Sequence, residues 1–432
     1  MVQQKVKYTD TERTPAERAR ALLEEMTLDE KMAQLGCIFP FGDSYDDMEQ
    51  QALEMPYGIG QVSTLEMRRI GTLEEAAGWQ RKMQETVMRQ SPHHIPAIFH
   101  MEGLCGAFIQ EGTSFPSGIA RGSGWDPELE EKIAKVVAKQ EAACGITHIL
   151  APVLDISRDS RMGRQGETYG EDPALAAALG AAYTKGIQTT EAGGRRPESV
   201  AKHFLGFHNS QGGIHGTNSD TPSRLMEEIY GKPFQSAISE SELKGVMPCY
   251  NSIDGEPASV SHRLLTELLR EKMGFDGLCV SDYGGINNAH EVQRIGETIG
   301  ETGLLAMEAG MDIEMPKATG YGEELKEMFR SGQADTELLD RTVLRVLEAK
   351  FRMGLFEHPF AMDGESCQKI FEEKEGAELS FRSARESMVL LKNNGILPLS
   401  GKIKKLALIG PHADCARTVS YTHLRAHETC AD

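Results

Sequence analysis

Between about residues 59 and 354, short apolar runs alternate with longer stretches of helical periodicity. Seven runs read as strands: IGQVST (59–64), PAIFHME (96–102), THILAPVLD (147–155), SVAKHFLGF (199–207), GVMPCYN (245–251), GLCVSDY (277–283) and MDIEMP (311–316). The segments between them carry helix-start signals. Asp126 precedes Pro127 at a first helical position, and Leu129, Ile133, Val136 and Val137 follow at helical spacing. Ser261 stands before Leu264, Leu265, Leu268 and Leu269, and Thr27-Leu28-Asp29-Glu30 reads as a capping box. Near-continuous apolar strands separated by helices predict βα units around a parallel sheet buried on both faces. Seven or eight such units suit an α/β fold of the (β/α)₈ TIM-like barrel type, whose active sites lie at the C-terminal ends of the strands. A doubly wound open sheet is the alternative, but its dinucleotide fingerprint is absent. Gly122-Ser123-Gly124-Trp125 lacks the third glycine.

The predicted domain plan places a catalytic barrel over 1–357 and a linker over 358–375. A second α/β domain, a sandwich, begins over 376–417, where helix-like ELSFRSARESMVLLKNN and the strand KLALIGP (405–411) are expected. Too little chain follows to close another sheet, so this domain reads as truncated. Residues 418–432 have neither period and read as a non-native tail.

Composition narrows the classes. Hydrophobic residues make up 40% of the chain and charged residues 26%, as in soluble globular proteins. A net charge of −19 without any basic cluster argues against nucleic acid and anionic membrane as partners. A homo-oligomer is compatible with this composition. The eight cysteines never form C-x-x-C, and the N-terminal stretch has no apolar core, so a reduced, cytoplasmic protein is expected.

The strand ends carry the chemistry. They present Glu102, Asp155 with Arg158 beyond it, Lys202-His203, Tyr250, Asp282 and Glu314, which a barrel would bring to one rim. Lys202 and His203 are either core residues or a polar clamp for hydroxyl groups. Arg164, in RMGRQGETYGEDP, is either a loop anchor pairing with Glu167 or Asp172, or a ligand contact. Tyr250 and Asp282 end neighbouring strands, so a phenol could hold a carboxylate oriented for nucleophilic or base chemistry. Two carboxylates flanking a glycosidic bond can hydrolyse it, with Glu102, Asp155, Asp282 and Glu314 as candidates. A Schiff-base aldolase using Lys202 and a non-catalytic sugar-binding barrel stand as alternatives. His208 and His215 do not have metal-ligand spacing; no metal and no cofactor is expected.

The ordered set GTSFPSGIARGSGWDPEL, APVLDISRDSRMGRQGETYGEDP, AKHFLGF, MPCYNSIDGEPAS, GFDGLCVSDYGGI, AGMDIEMP and SMVLLKNNGILPL resembles glycoside hydrolase family 3, which includes β-glucosidases and β-xylosidases. The resemblance runs from about Glu17 to Asp414. It implies an exo-acting, retaining β-glycosidase of the β-glucosidase type acting on β-linked oligosaccharides or glycosides, with β-xylosidase as the alternative. It further implies that Asp282 is the nucleophile, that Lys202, His203 and Arg164 hold the hydroxyls of the terminal sugar, and that Glu102 grips its distal hydroxyls. Tyr250 matches a tyrosine near the nucleophile. Where Tyr283 stands, members usually carry Trp or His, and a His-Gly pair often replaces Cys105-Gly106. Two-domain members take the general acid/base from the second domain, so a chain lacking it is expected to be weakly active. The single-domain branch takes it from a His in a PGHG-like loop. Leu205-Gly206-Phe207-His208 does not fit that branch, so N-acetylglucosaminidase specificity is not expected.

Overall fold

The computed structural model describes residues 6–410. Seven strands form one sheet in chain order, every neighbour parallel: β1 (Cys37–Ile38), β2 (Gln61–Ser63), β3 (Ile98–Met101), β4 (His148–Ile149), β5 (Glu198–Phe204), β6 (Gly245–Pro248) and β7 (Leu278–Cys279). Residues 312–315 complete the ring. Ile313 bridges Val280 in parallel on one side, and the Glu314 N–H donates to the Leu35 carbonyl at 3.0 Å on the other, just before β1. The fold is therefore a (β/α)₈-type barrel, and the open-sheet alternative is excluded by this closure.

Burial on both faces explains the apolar strand sequences. Val62, Val200, Val246, Cys279 and Ile313 are all fully enclosed. The helices Leu73–Gln90, Pro127–Ala143, Pro173–Gln188, Lys232–Ser241, Arg263–Lys272, Ile299–Ala309 and Thr336–Arg352 form the outer layer. Their start signals act as the sequence predicts. Asp126 accepts from the Leu129 N–H, Thr27 and Glu30 form a reciprocal capping box, and Ser261 Oγ accepts from the Leu264 N–H at 3.2 Å. Behind Ser261, Leu264, Leu265 and Leu269 are buried against the sheet. Each contributes roughly 1.5–3 kcal/mol of transfer free energy.

Several local readings differ from the sequence expectation. Strand β1 is two residues long and carries no periodic signal of its own. The expected strands at 147–155 and 277–283 form regular ladders only at His148–Ile149 and Leu278–Cys279; beyond these, single bridges join Val153 to Lys202 and Val280 to Ile313 before the chain leaves as loops. At 405–410 no strand forms, because among the described residues no neighbour offers a ladder to pair with; Leu406, Leu408 and Ile409 are exposed there. The segment expected as a linker contains the helix Gly364–Phe371, whose Cys367 and Phe371 pack into the cluster under Trp79 and Phe108. Of the helix expected over ELSFRSARESMVLLKNN (378–394) only the first half forms, within Lys374–Glu386, and the residues from 388 on are not helical. Positions 411–432 lie outside the described residues.

Candidate active site

The C-terminal ends of the strands converge on a cavity of about 250 Å³. It is lined by Glu102, Arg164, Lys202, His203, Tyr250 and Asp282, the six residues that the family resemblance singles out, together with Leu65, Leu150, His215, Met247 and Tyr283. A larger groove of about 430 Å³ opens at the other end of the barrel, between Glu198, Lys244 and Arg352. Its basic side chains are held in ion pairs: Arg352 bonds Glu198 at 2.6 Å and Lys244 bonds Asp276 at 2.7 Å. Convergent polar groups favour the smaller cavity as the reactive site.

Strand β5 supplies the clamp. The ladder between β5 and β6 shifts register between Lys202 and Phe204, and both Lys202 and His203 are buried. Lys202 Nζ donates to Glu102 Oε2 at 2.7 Å, which ties the end of β5 to the residue after β3. His203 is held from the loop after β4. Its backbone N–H lies 3.3 Å from both carboxylate oxygens of Asp155, and its Nδ1 lies 2.8 Å from Asp155 Oδ2. Burial, with Arg164 and Lys202 nearby, holds the imidazole well below its usual pKa. A neutral ring donating through Nδ1 leaves Nε2 to face the cavity. Asp155 is therefore the holder of His203 rather than a free acid on the rim.

Arg164 combines both readings weighed for it. It makes a two-pronged ion pair with Glu167 at 2.9 and 2.8 Å, and Nη2 also lies 3.3 Å from His203 Nε2. Its guanidinium stands 5.1 Å over the Phe207 ring. The carboxylate fixes the arginine, and the fixed arginine lines the cavity.

Asp282 follows the two paired residues of β7. Its Oδ1 accepts the N–H of Tyr283 at 2.7 Å, while Oδ2 is buried without a hydrogen-bond partner, 3.7 Å from His203 Nε2. Burial raises its pKa; Lys202, Arg164 and a hydrogen bond from Tyr250 oppose that rise. The Tyr250 hydroxyl also lies 2.8 Å from the Tyr283 carbonyl, so it is shared between the carboxylate and the backbone beside it. Gly284 then takes a φ of +71°, left-handed backbone that lets the chain turn away at once.

Two strand-end candidates fall outside the site. Glu314 is consumed by its own loop: its carboxylate accepts the N–H groups of Thr319, Gly320 and Tyr321 and does not line the cavity. Arg158 is exposed and also absent from the cavity wall. His215 and Tyr283 were not selected from sequence. His215 stands at the mouth, its ring 4.9 Å from Tyr250 and 5.2 Å from Phe207. It lies on an irregular loop, where no periodicity indicates direction. The only signal for Tyr283 is its place beside Asp282. Among the described residues no three His, Cys, Asp or Glu side chains group as a metal site.

Residues 27–349 match the model of the glycosyl hydrolase family 3 N-terminal domain. A β-xylosidase of Formosa agariphila is 34% identical over 337 residues, covering 74% of this chain and 46% of that protein. A β-glucosidase of Rhizobium radiobacter is 34% identical over 323 residues, covering 74% of this chain and 37% of that protein. Among solved structures, a β-glucosidase from Erythrobacter marinus superimposes with a TM-score of 0.85 at 32% identity, over 91% of this chain and 52% of its own. The chain thus spans about half the length of these relatives, or less.

Proposed function

The chain belongs to glycosyl hydrolase family 3, and on that premise we propose that it is an exo-acting, retaining β-glycosidase of the β-glucosidase type with Asp282 as its nucleophile. The observation that carries this reading is the free oxygen of Asp282. A buried carboxylate oxygen without a partner costs free energy unless a ligand uses it. This one faces a cavity bounded by an ammonium, a guanidinium and an imidazole suited to sugar hydroxyls. In the proposed reaction Asp282 Oδ2 attacks the anomeric carbon as the glycosidic C–O bond breaks, and the leaving oxygen takes a proton from a general acid. Water then releases the sugar with retention. Glu102, Lys202, His203, Arg164 and Tyr250 hold the terminal sugar and orient the nucleophile.

The pairing of Lys202 with Glu102 supports a charged, hydroxyl-binding lysine over a Schiff-base lysine. A β-xylosidase remains the second reading, favoured by the Formosa relative. The same proposal includes a reducing, cytoplasmic setting, supported by the buried thiols of Cys37, Cys249 and Cys279, which behave as core side chains. No helix among the described residues is long and apolar enough to cross a membrane. It also includes a barrel over 1–357, a linker over 358–375 and a second α/β domain beginning over 376–417. Val389, Leu391, Ile396, Leu408 and Ile409 are exposed, and apolar side chains in such number call for a covering surface.

A 2-deoxy-2-fluoro-β-glucoside with a dinitrophenyl leaving group tests the nucleophile. Peptide mass spectrometry is expected to find the sugar on Asp282, and Asp282→Asn is expected to abolish both labelling and turnover. A label on any other residue would refute the assignment. Comparing aryl β-glucosides with aryl β-xylosides decides between the two sugars.

A further inference from the structure

The residue after the proposed nucleophile is built into the opposite wall of the barrel. The Tyr283 hydroxyl lies 2.8 Å from Ser63 Oγ at the end of β2 and 2.8 Å from His100 Nε2 on β3. Ser63 and His100 are both fully buried. The ring lies 5.9 Å from that of Phe39 and 5.8 Å from that of His100. The backbone of Tyr283 is equally committed. Its N–H donates to Asp282 Oδ1, and its carbonyl accepts from the Tyr250 hydroxyl. The peptide that orients Asp282 is thus pinned through a side chain reaching across the barrel floor to two other strands.

We propose that Tyr283 is a positioning residue for Asp282, its hydroxyl anchored on Ser63 and His100 so that the Tyr283 N–H fixes Oδ1 and leaves Oδ2 aimed at the anomeric carbon. This rests on the reading of Asp282 as nucleophile. The physical argument is geometric. Attack requires the reacting atoms within about 3–3.5 Å in an aligned approach, and a misplacement of about 1 Å can cost a hundredfold in rate. The ladder holds the chain as far as Ser281, whose N–H donates to the Ile313 carbonyl at 2.9 Å, and the next such tie is the Gly284 N–H on the Met315 carbonyl at 2.8 Å, so the Asp282–Tyr283 peptide between them makes no ladder bond. The phenol supplies the missing constraint from outside the strand. If the ring served only to fill the core, phenylalanine would serve as well.

The test is Tyr283→Phe, which keeps the ring and removes the anchor. The rate of inactivation by the dinitrophenyl 2-fluoroglucoside is measured against inhibitor concentration, so that the first-order constant and the binding constant separate. The first-order constant is expected to fall about tenfold or more, with binding nearly unchanged and the label still on Asp282. Ser63→Ala is expected to act in the same direction, and the double variant to be little worse than Tyr283→Phe alone, since both break one linkage. A wild-type inactivation constant in Tyr283→Phe overturns the proposal. Should that variant fail to fold by circular dichroism, Ser63→Ala decides: a slowed rate supports the anchor and an unchanged rate overturns it. A label away from Asp282 in the wild-type protein overturns the nucleophile reading itself, a different failure.

Discussion

Asp282 shows how much of a residue's chemistry is set by its surroundings. Aspartate at the end of an apolar run could equally have capped the following turn, as Glu314 in effect does for residues 319–321. At Asp282 one oxygen is tied and the other is free, and burial raises its pKa against the pull of Lys202 and Arg164. Because the proposed nucleophile must be ionised, kcat/KM for an activated aryl glucoside should fall on acidification at a pH above the ordinary carboxylate range. Lys202→Met removes the first-named cation that favours the charged form. The acid limb should then move to still higher pH, beyond any general loss of sugar binding, and a pH profile of inactivation measures it. An acid limb that stays in place or moves lower would show that Lys202 does not tune the carboxylate. Glu102, Lys202 and Asp282 were legible as residue types at strand ends. Asp155 was legible only as another carboxylate, because its role depends on which imidazole the fold places beside it.

At the scale of elements, the caps were the readable part. An Asp-Pro pair or a Thr-x-x-Glu box acts within four residues, so sequence proximity is spatial proximity. Asp126 illustrates the weight such a residue carries. It accepts from the Leu129 N–H at 3.0 Å and also bonds Arg382 of the helix Lys374–Glu386 at 2.5 Å. Asp126→Ala should destabilise the protein by about 1 kcal/mol through the lost cap. The half-exposed arginine pair adds little to that. Urea titration measures it, and an unchanged midpoint would mean that the helix start is held by packing alone. Strand bounds were read less well. The apolar runs continue past the regular ladders of β4 and β7, through the single bridges at Val153 and Val280, because the stretches leading to Asp155 and Asp282 are themselves buried. Hydrophobicity reports burial, not ladder pairing, so the runs overshoot the strands. Strand β1 was missed for the converse reason, since two residues cannot show a period.

The whole molecule decides what the site can do. The ring of strands brings residues 102, 164, 202, 250 and 282 around one cavity. Of the carboxylates on that wall, Glu102 is paired with Lys202 through Oε2, and Asp282 has an oxygen, Oδ2, that is buried without a hydrogen-bond partner. Among the described residues the other carboxyl on this wall, Glu102, is tied to Lys202 rather than free to protonate a leaving group. The 432-residue chain should therefore depend steeply on its leaving group, turning over dinitrophenyl glucosides far faster than cellobiose. Comparable rates on the two would show that an acid is already within reach. What the sequence determined by itself was local or periodic: the βα alternation, the helix starts, and a set of family motifs whose order marks the fold and the residues to watch. Tertiary structure alone decided which of those residues meet. It tied Lys202 to Glu102, gave Asp155 to His203, turned Glu314 away and anchored Tyr283 on strands far from it in the chain. The pairings between strands follow from barrel closure, which joins Asp155 to His203 across 48 positions, Lys202 to Glu102 across 100 and Tyr283 to Ser63 across 220, and no local pattern encodes distances of that kind.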